Sequence, residues 1–340
     1  MKNQTLWVLG TGGTIAGTLN QSSTTDMPAA DHAPYTAAQH SIASLLSSMK
    51  DQMPSNWLIE SEQIMQIDSK DMNWNDWKLL VHAIDRLQQL EQLGSILITH
   101  GTDTIEETAA MLDWWMQHDS RWTKSITITC AMRPADHPQA DGPANLSQAC
   151  RWAVHAQQLQ PQVWVSAAQK VWHADQVQKN HPLDIQAIGS RNGPPAATWE
   201  TQLQDWQTNS SATAGSVKIP LSIHAMHVSG ISSLSNWPEV QPWVEVIRSG
   251  ACADPRALNT MIESGVQALI VECTGNGTWN KELDASMQKA NNKKIPVAWV
   301  SRCPHGSPMN SAHPEQWADW SHLNASKARV WMMLELAFKR

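Results

Sequence analysis

The alternation of short aliphatic runs with longer amphipathic segments constrains the fold of this chain more than any other feature of its sequence. Runs with the length and composition of buried strands lie at residues 6–9, 63–67, 95–99, 125–130 and 163–166. Between them lie segments of helical length at residues 37–49, 75–93, 105–117 and 144–159. Because strands that alternate with helices form right-handed βαβ units, the pattern predicts a parallel sheet covered by helices.

The alternation stops between residues 196 and 215, where the sequence becomes polar. A length of 340 residues favours two domains, at about 150 residues per domain. We predict an N-terminal domain over residues 1–200, a linker over 201–218 and a C-terminal domain over 219–340. Strands at 221–226, 268–272 and 296–300 and a helix at 325–337 continue the pattern. The predicted fold class is α/β, with a larger N-terminal parallel-sheet domain of flavodoxin-like, doubly wound character and a smaller α/β C-terminal domain.

Charge and cysteine usage disfavour several classes of protein. The 24 basic and 31 acidic residues give a net charge of −7, which argues against a nucleic-acid binder with a basic face. No apolar run approaches the roughly 18 residues of a membrane span. The first run, residues 6–9, is too short for a secretory leader. The five cysteines are scattered without a C-x-x-C pair, which favours reduced thiols and a cytoplasmic location.

The 14 histidines form no metal-binding pattern. His224 and His227 are three residues apart, a spacing that puts them on opposite faces of a strand, and no H-E-x-x-H is present. We therefore predict no metal and no cofactor. The absence of a G-x-S-x-G elbow disfavours a serine α/β-hydrolase.

A glycine-rich turn, GTGGTIAG at residues 10–17, follows the first predicted strand. It fits a dinucleotide-binding G-x-G-x-x-G only in part, because the β-branched Ile15 stands where the third glycine allows helix and strand to pack. The alternative is a turn that presents a threonine hydroxyl at the end of the strand. A plain tight turn without chemistry also fits this segment.

A second polar turn, HGTDT at residues 100–104, follows the predicted strand at 95–99. Thr104 and Glu107 fit a capping box, so Thr102 and Asp103 should lie just before a helix N-terminus. Such an N-terminus suits a carboxylate or a developing oxyanion, although Asp103 alone could be a simple cap.

Two more polar segments, DSKDM at 68–72 and AMRP at 131–134, also follow predicted strands. Ligands of open parallel sheets bind outside the carboxyl ends of the strands. We therefore predict that these four segments share one site.

The segments TGGTIAG at 11–17 and THGTDT at 99–104 resemble the two signature motifs of the bacterial L-asparaginase family. The segments DSKDM, AMRP, ADGP at 140–143 and GNG at 275–277 resemble family segments in family order. The resemblance implies an L-asparagine amidohydrolase that releases ammonia through a threonine acyl-enzyme, with L-glutamine as a second candidate substrate. It also implies a homotetramer, arranged as a dimer of dimers, of the cytoplasmic type.

The same resemblance assigns roles to individual residues. Thr14 matches the nucleophile, Tyr35 the tyrosine of the following loop, and Thr102 and Asp103 the second threonine with its aspartate. Tyr35 is the only tyrosine of the chain, which favours a functional role. The implied substrate-binding residues are Asp68, Ser69, Thr102, Asp103, Ala131 and, from a neighbouring subunit, Asn276. Of these, Ser69 and Asp103 would hold the α-carboxylate and α-amino groups, and the backbone N–H groups of Thr102 and Ala131 would form the oxyanion hole.

A threonine hydroxyl is a weak nucleophile and needs a proton acceptor, which a buried neutral lysine beside Thr102 could supply. Lys179 matches the family lysine best, and Lys170 is the competing position. Lys70 departs from part of the family; it could tighten substrate binding or extend into solvent.

Two other functions are compatible with parts of the sequence. A dinucleotide-dependent oxidoreductase would need the first glycine turn to bind a cofactor despite Ile15. A catalytically silent, amino-acid-binding relative would keep Ser69 and Asp103, but Thr14, Thr102, Tyr35 and a lysine together argue against it.

Overall fold

The computed structural model describes residues 4–20, 34–54, 56–209, 237–309 and 313–338. The chain divides into two compact units, Met1–Ser216 and Val217–Arg340. The strand predicted at 221–226, and with it His224 and His227, lies outside the described residues. No helix in the described ranges is long and apolar enough to cross a membrane.

The first unit is built from twelve described strands and four α-helices. The strands are β1 (Thr5–Gly12), β2 (Thr18–Leu19), β3 (Tyr35–Thr36), β4 (Leu58–Ile67), β5 (Leu93–Thr99), β6 (Ile126–Thr129), β7 (Val163–Ala167), β8 (Lys170–His173), β9 (Val177–Lys179), β10 (Ile188–Ser190), β11 (Ala197–Glu200) and β12 (Asp205–Thr208). The helices are α1 (Ile42–Ser47), α2 (Trp74–Gln88), α3 (Ile105–His118) and α4 (Gly142–Ala156).

Five parallel strands form the centre of the main sheet, in the order β4-β1-β5-β6-β7. This is the flavodoxin-like order 2-1-3-4-5, so the predicted fold class is confirmed. Every residue of β5 is buried, as expected for a parallel strand with both faces covered. The direction of winding reverses between β1 and β5, and ligands of such sheets bind at this switch point.

An antiparallel extension, β8-β11-β12, lengthens the sheet beyond β7. Its last strand, β12, lies in residues that we predicted to be linker. Trp206 explains the difference, because its indole is buried against Trp152 and Trp199 with ring centroids 5.7 and 5.3 Å away. The Trp206 Nε1–H also donates to the backbone oxygen of Gln148 at 3.2 Å. Because the segment is otherwise polar, the sequence interpretation overlooked Trp206, whose packing holds β12 in the sheet.

Two predicted helices are shorter in the structure. The helix predicted at 37–49 is reduced to α1, because the backbone N–H groups of Ala38, Gln39 and His40 donate to the carbonyls of Gly13 and Ala16 instead of to a helical turn. The helix predicted at 75–93 ends as α2 at Gln88, since Leu93 already belongs to β5. The first helix is therefore shorter because hydrogen bonds to the distant glycine turn replace the local hydrogen bonds of a helical turn.

The second unit has a smaller parallel sheet, in the order β13-β14-β15-β16. Its described elements are β13 (Val244–Arg248), α5 (Pro255–Glu263), β14 (Ala268–Cys273), α6 (Asp284–Asn292), β15 (Val297–Ser301), β16 (Ala318–Asp319) and α7 (Ala325–Phe338). Two predicted strands and the final helix correspond to β14, β15 and α7. The sequence interpretation missed β13, α5, α6 and β16.

The turns that follow β1 and β5 touch through their backbones. Gly13 adopts φ 79° and ψ −175°, a conformation restricted almost entirely to glycine. A Cβ atom there would lie 2.5 Å from the Cα of Gly101. A Cβ atom on Gly101 would in turn lie 2.4 Å from Ser69 Oγ, in the turn after β4. The three strand ends can therefore meet only because both positions lack a side chain.

Substitution of Gly13 tests this contact. We expect Gly13→Ala to lower the free energy of unfolding by about 3 kcal/mol or more, because backbone strain of roughly 1–3 kcal/mol adds to overpacking of similar size. Gly193→Ala is the control, because Gly193 also has a positive φ, 81°, but has open space around its Cβ position. We expect this control substitution to lower the free energy of unfolding by only about 1–2 kcal/mol. Urea unfolding of both variants measures the difference, and equal losses would contradict a steric role for Gly13.

Candidate active site

A cavity of about 430 Å³ opens beside the turns after β1, β5 and β6. Its lining residues are Thr14, Pro34, Tyr35, Thr102, Asp103, Met132, Pro134, His137, Lys179, Pro182 and Leu183. A larger depression of about 740 Å³ between residues 43 and 61 has only Lys50 and Asp51 as charged lining residues. The smaller cavity is the better candidate, because it gathers titratable and nucleophilic side chains at the carboxyl ends of the parallel strands.

Thr14 lies in the turn after β1 and pairs with Tyr35. The two hydroxyl oxygens are 2.8 Å apart, and Thr14 is almost completely buried. Tyr35 is positioned by the antiparallel pairing of β3 with β2, in which it lies opposite Leu19. The resemblance noted in the sequence named these two residues separately, and the structure brings them together although they are 21 residues apart in the chain.

The conformation of this turn counts against dinucleotide binding. The chain continues from Gly13 into a 3₁₀ turn of three residues, Thr14–Ala16, and not into an α-helix whose N-terminus could hold a pyrophosphate. Ile15 is buried, and a Cβ atom on Gly142 would lie 3.0 Å from its Cγ1. The position of a third fingerprint glycine is thus filled by a core side chain.

Thr102, Asp103 and Lys179 form a second polar group in the same cavity. The Lys179 ammonium donates to Thr102 Oγ1 at 2.9 Å and pairs with Asp103 Oδ1 at 2.6 Å. The side chain of Lys179 is 17% exposed and that of Asp103 is 52% exposed, so the carboxylate also faces the cavity opening. A hydroxyl, an amine and a carboxylate within hydrogen-bonding distance can pass a proton and hold an ammonium group.

A separate two-stranded sheet brings Lys179 to this position. Lys179 ends β9 and lies opposite Ile188 of β10, and the N–H of Asn180 donates to the carbonyl of Ala187 at 2.7 Å. Lys170 instead begins β8 and pairs with Ala167 in the main sheet. Of the two lysines proposed from the sequence, Lys179 is therefore the one that contacts Thr102.

The capping box predicted for Thr104 and Glu107 is wrong. The helix α3 does begin at Ile105, but the hydroxyl of Thr104 donates to the carbonyl of Ser69 at 2.8 Å and makes no cap. Glu106 and Glu107 in the first turn supply the negative charge that this end of a helix favours. Thr104 therefore links the turn after β5 to the turn after β4. The capping-box pattern in the sequence gave no indication of this long-range contact.

The turn after β4 places a buried hydroxyl beside this link. Ser69 is 2% exposed, and within the described ranges its Oγ has no hydrogen-bond partner. Asp68 and Asp71 bind the ammonium of Lys70 at 2.8 and 3.0 Å, and these hydrogen bonds raise the pKa of Lys70 above its usual value. Lys70 is therefore held by its chain neighbours at the surface, where such pairs contribute little stability.

Asp141 and Asn145 shape the loop after β6. The Asp141 carboxylate accepts from the N–H groups of Met132 and Arg133 at 3.0 and 2.9 Å, and the Asn145 amide donates to the carbonyl of Cys130 at 3.0 Å. Ala131, a predicted binding residue, is buried between these anchors. Sequence reasoning noted Asp141 only as part of a motif; its spacing of four residues from Asn145 was the signal that both lie on one face of the helix.

His100, between β5 and Gly101, is buried and neutral. Burial lowers its pKa to about 4, against a smaller raising effect of the hydrogen bond between Nδ1 and the carbonyl of Gly101 at 2.7 Å. The imidazole is absent from the cavity lining.

Asn276 belongs to the second unit, where it follows β14. Its side-chain amide donates to the carbonyl of Met309 and accepts from the N–H of the same residue, both at 2.5 Å. Across the part of the chain that the structure describes, no group of three or more His, Cys, Asp or Glu side chains could hold a metal ion.

The sequence and the structure both match known proteins along nearly the whole chain. Residues 5–212 match the family model "Asparaginase, N-terminal", and residues 243–339 match "Glutaminase/Asparaginase C-terminal domain". The chain is 30% identical to "Probable L-asparaginase periplasmic" of Haemophilus influenzae, over 97% of this chain and 87% of that protein. It is 27% identical to "L-asparaginase 2" of Escherichia coli, over 97% and 88% of the two chains.

A solved structure is similar as well. "Probable Cytoplasmic L-asparaginase" of Campylobacter jejuni has 26% identity, a TM-score of 0.79, and coverage of 98% of this chain and 95% of that chain. A glutaminase-asparaginase of Pseudomonas fluorescens is 27% identical over 97% of this chain and 85% of that protein.

Proposed function

Because the chain belongs to the asparaginase family through both its N-terminal and its C-terminal domains, we propose the cavity of the first unit as the site where it hydrolyses L-asparagine. The protein is an amidohydrolase that converts L-asparagine into L-aspartate and ammonia. The site assignment rests on one observation, that two hydrogen-bonded groups line the same cavity. The first group is Thr14 with Tyr35, and the second is Thr102 with Lys179 and Asp103.

In the first half of the proposed reaction, Thr14 Oγ1 forms a bond to the side-chain carbonyl carbon of L-asparagine. Tyr35, whose oxygen is 2.8 Å away, is the first partner for the hydroxyl proton. The proton ends on the amide nitrogen, the C–N bond breaks, and ammonia leaves. Backbone N–H groups of Thr102 and Ala131 are the proposed oxyanion donors, and such donors usually contribute the largest share of transition-state stabilisation.

In the second half, water adds to the acyl carbon and gives its proton to the pair formed by Thr102 and Lys179. The bond to Thr14 Oγ1 breaks, Thr14 recovers a proton, and L-aspartate leaves. In this proposal the Thr102 hydroxyl, 2.9 Å from the Lys179 amine, connects that amine to the reacting atoms. Asp103 and Ser69, with Asp68 beside them, are the proposed partners of the α-amino and α-carboxylate groups.

Removal of the hydroxyl of Thr14 or of Thr102 should greatly reduce the rate of L-asparagine hydrolysis. We expect Thr14→Ala and Thr102→Val each to reduce turnover of L-asparagine on the order of 10³-fold or more, with a melting temperature close to that of the wild type. Ammonia release measures turnover, and Thr14→Ser, which keeps a hydroxyl, is the matched control. Retention of a tenth of wild-type activity by Thr14→Ala would show that Thr14 is not the nucleophile.

The two candidate lysines can be separated kinetically. Lys179→Met should lower kcat far more than it raises KM, because a group that moves a proton acts in the transition state. Lys170→Met should leave both constants near their wild-type values, since Lys170 pairs within the main sheet. Steady-state kinetics on L-asparagine compare the variants. An equal or larger effect at Lys170 would overturn the assignment of Lys179.

We also propose that the protein is a homotetramer, a dimer of dimers, in which Asn276 of a neighbouring subunit reaches the substrate amino group. In the isolated chain the Asn276 amide is engaged with the backbone of Met309. To reach the substrate, the Asn276 amide would have to bind the substrate amino group in addition to the Met309 backbone or in place of it. L-glutamine as a second substrate and a cytoplasmic location stay predictions; one relative is named periplasmic and one structural neighbour cytoplasmic.

Subunit mixing tests the shared site. Homo-oligomers of Thr14→Ala and of Asn276→Ala are each expected to be weakly active. When the two are dissociated, mixed and reassembled, some sites will contain both intact residues, so part of the activity should return. A fully active monomer in sedimentation, or no recovery in reassembled mixtures, would contradict the contribution of Asn276 in trans and leave the amidohydrolase activity unaffected.

A further inference from the structure

The strand pair that carries Tyr35 is too small to hold this side chain in place by itself. β2 and β3 have two residues each, and Tyr35 is 39% exposed. A two-stranded pair of this length is at best marginally stable in water. The Tyr35 hydroxyl nevertheless lies 2.8 Å from that of Thr14, which is almost completely buried. Contacts from another part of the chain must therefore fix the strand pair.

A carboxylate from the loop after β6 holds one of the two strands. Leu19 lies opposite Tyr35 in the pairing of β2 with β3. The N–H of Leu19 donates to the carboxylate of Asp136, with distances of 2.8 and 3.0 Å to its two oxygens. A hydrogen bond to an ionised acceptor is roughly twice as strong as one between neutral groups. Asp136 therefore anchors the residue that faces Tyr35 across the strand pair.

A backbone contact beside this hydrogen bond supports the same segment. The N–H of Ala135 donates to the carbonyl of Gly17 at 2.9 Å. A Cβ atom on Gly17 would lie 3.1 Å from Cδ2 of Tyr35 and 3.0 Å from the carbonyl oxygen of Thr36. The Tyr35 ring therefore packs closely against the backbone that Ala135 and Asp136 hold.

Asp136 itself is outside the cavity. Its side chain is exposed and is not among the lining residues, which include both Thr14 and Tyr35. A substrate bound in the cavity therefore makes no direct contact with this carboxylate. Any effect of Asp136 on hydrolysis must pass through the residues that it holds.

We propose that Asp136 is a positioning residue for the reaction. Its carboxylate holds β2, and through β2 it keeps the Tyr35 hydroxyl within hydrogen-bonding distance of Thr14. The first proton partner of the nucleophile is thereby set by a hydrogen bond between residues that are 117 positions apart in the chain. The catalytic part of this role rests on the proposed function, whereas the position of the Tyr35 ring can be measured without turnover.

A double-substitution cycle separates this role from a general effect on the loop. We expect Asp136→Ala to lower kcat for L-asparagine about tenfold with little change in KM. Asp136→Asn keeps an oxygen that can accept from the Leu19 N–H, so its kcat should stay within about threefold of the wild type. In a Tyr35→Phe background Asp136→Ala should cause no further loss, because the effects of residues that act through one another do not add.

Asp205→Ala is the matched control for the loss of an exposed aspartate. The Asp205 carboxylate also accepts a backbone N–H, that of Trp206 at 2.8 Å, but Asp205 is not among the residues that line the cavity. Its kcat and KM should equal those of the wild type in steady-state kinetics.

The single tyrosine of the chain allows a second measurement that needs no turnover. Tyrosine labelled with 13C at its ζ carbon places one label in the protein, on Tyr35. In Asp136→Ala we expect the NMR resonance of this carbon to broaden or to move toward that of free tyrosine. Asp136→Asn and Asp205→Ala should keep the wild-type resonance. Its loss in Tyr35→Phe confirms the assignment.

Three outcomes would overturn the proposal. An unchanged Tyr35 resonance in Asp136→Ala, whatever the kcat of this variant, would show that the strand pair holds itself. A further loss of kcat when Asp136→Ala is added to Tyr35→Phe would place the effect in the loop after β6. Equal losses in Asp136→Asn and Asp136→Ala would assign the effect to the charge of the carboxylate and not to its hydrogen bond.

A failure of the proposed function gives a different result. If Tyr35→Phe retains the wild-type kcat, the role of Tyr35 in hydrolysis is wrong. The resonance of the labelled carbon then decides by itself whether Asp136 positions the Tyr35 ring.

Discussion

The backbone contact between Gly13 and Gly101 is the constraint on which the rest of this site depends. Both glycines follow strands at the switch point of the parallel sheet, and a Cβ atom on either would overlap a neighbouring turn. Because the turns touch through backbone atoms, the threonines that follow, Thr14 and Thr102, both face one cavity.

Side-chain hydrogen bonds extend this contact to the neighbouring turns. Thr11 donates to the carbonyl of Thr99, and Thr104 donates to the carbonyl of Ser69, both at 2.8 Å. The first bond joins β1 to its sheet neighbour β5, and the second joins the turn after β5 to the turn after β4, which lies on the other side of β1. Buried bonds of this kind contribute about 1 kcal/mol each, and their larger effect is to fix one arrangement of the turns. The two signature segments thus contain threonines that link the turns, Thr11 and Thr104, as well as the threonines proposed to act in catalysis.

Three further polar groups of the cavity come from elements other than the turns after β1 and β5. Tyr35 is supplied by the β2–β3 pair, Lys179 by the β9–β10 pair and His137 by the loop after β6. A rigid sheet edge therefore carries the threonines, and separate hairpins and loops bring a phenol, an amine and an imidazole to them. This arrangement explains why the site residues lie far apart in the chain and why no local spacing relates them.

The sequence by itself determined the segments with strong local signals: the central strands with their aliphatic runs, the order of the helices, and the polar turns at the strand ends. Long-range partners decided the rest. Thr104 donates to the carbonyl of Ser69 instead of capping its helix. The N–H groups of residues 38–40 donate to the glycine turn instead of to the first turn of a helix. Trp206 packs against other indoles and thereby forms a strand within a polar segment.

The position of Lys179 beside Thr102 was also decided by the tertiary structure. The physical reason is the same in each case. Propensity and periodicity report the interactions of a residue with its chain neighbours. A hydrogen bond across 77 residues, such as that between Lys179 and Thr102, leaves no trace in local sequence.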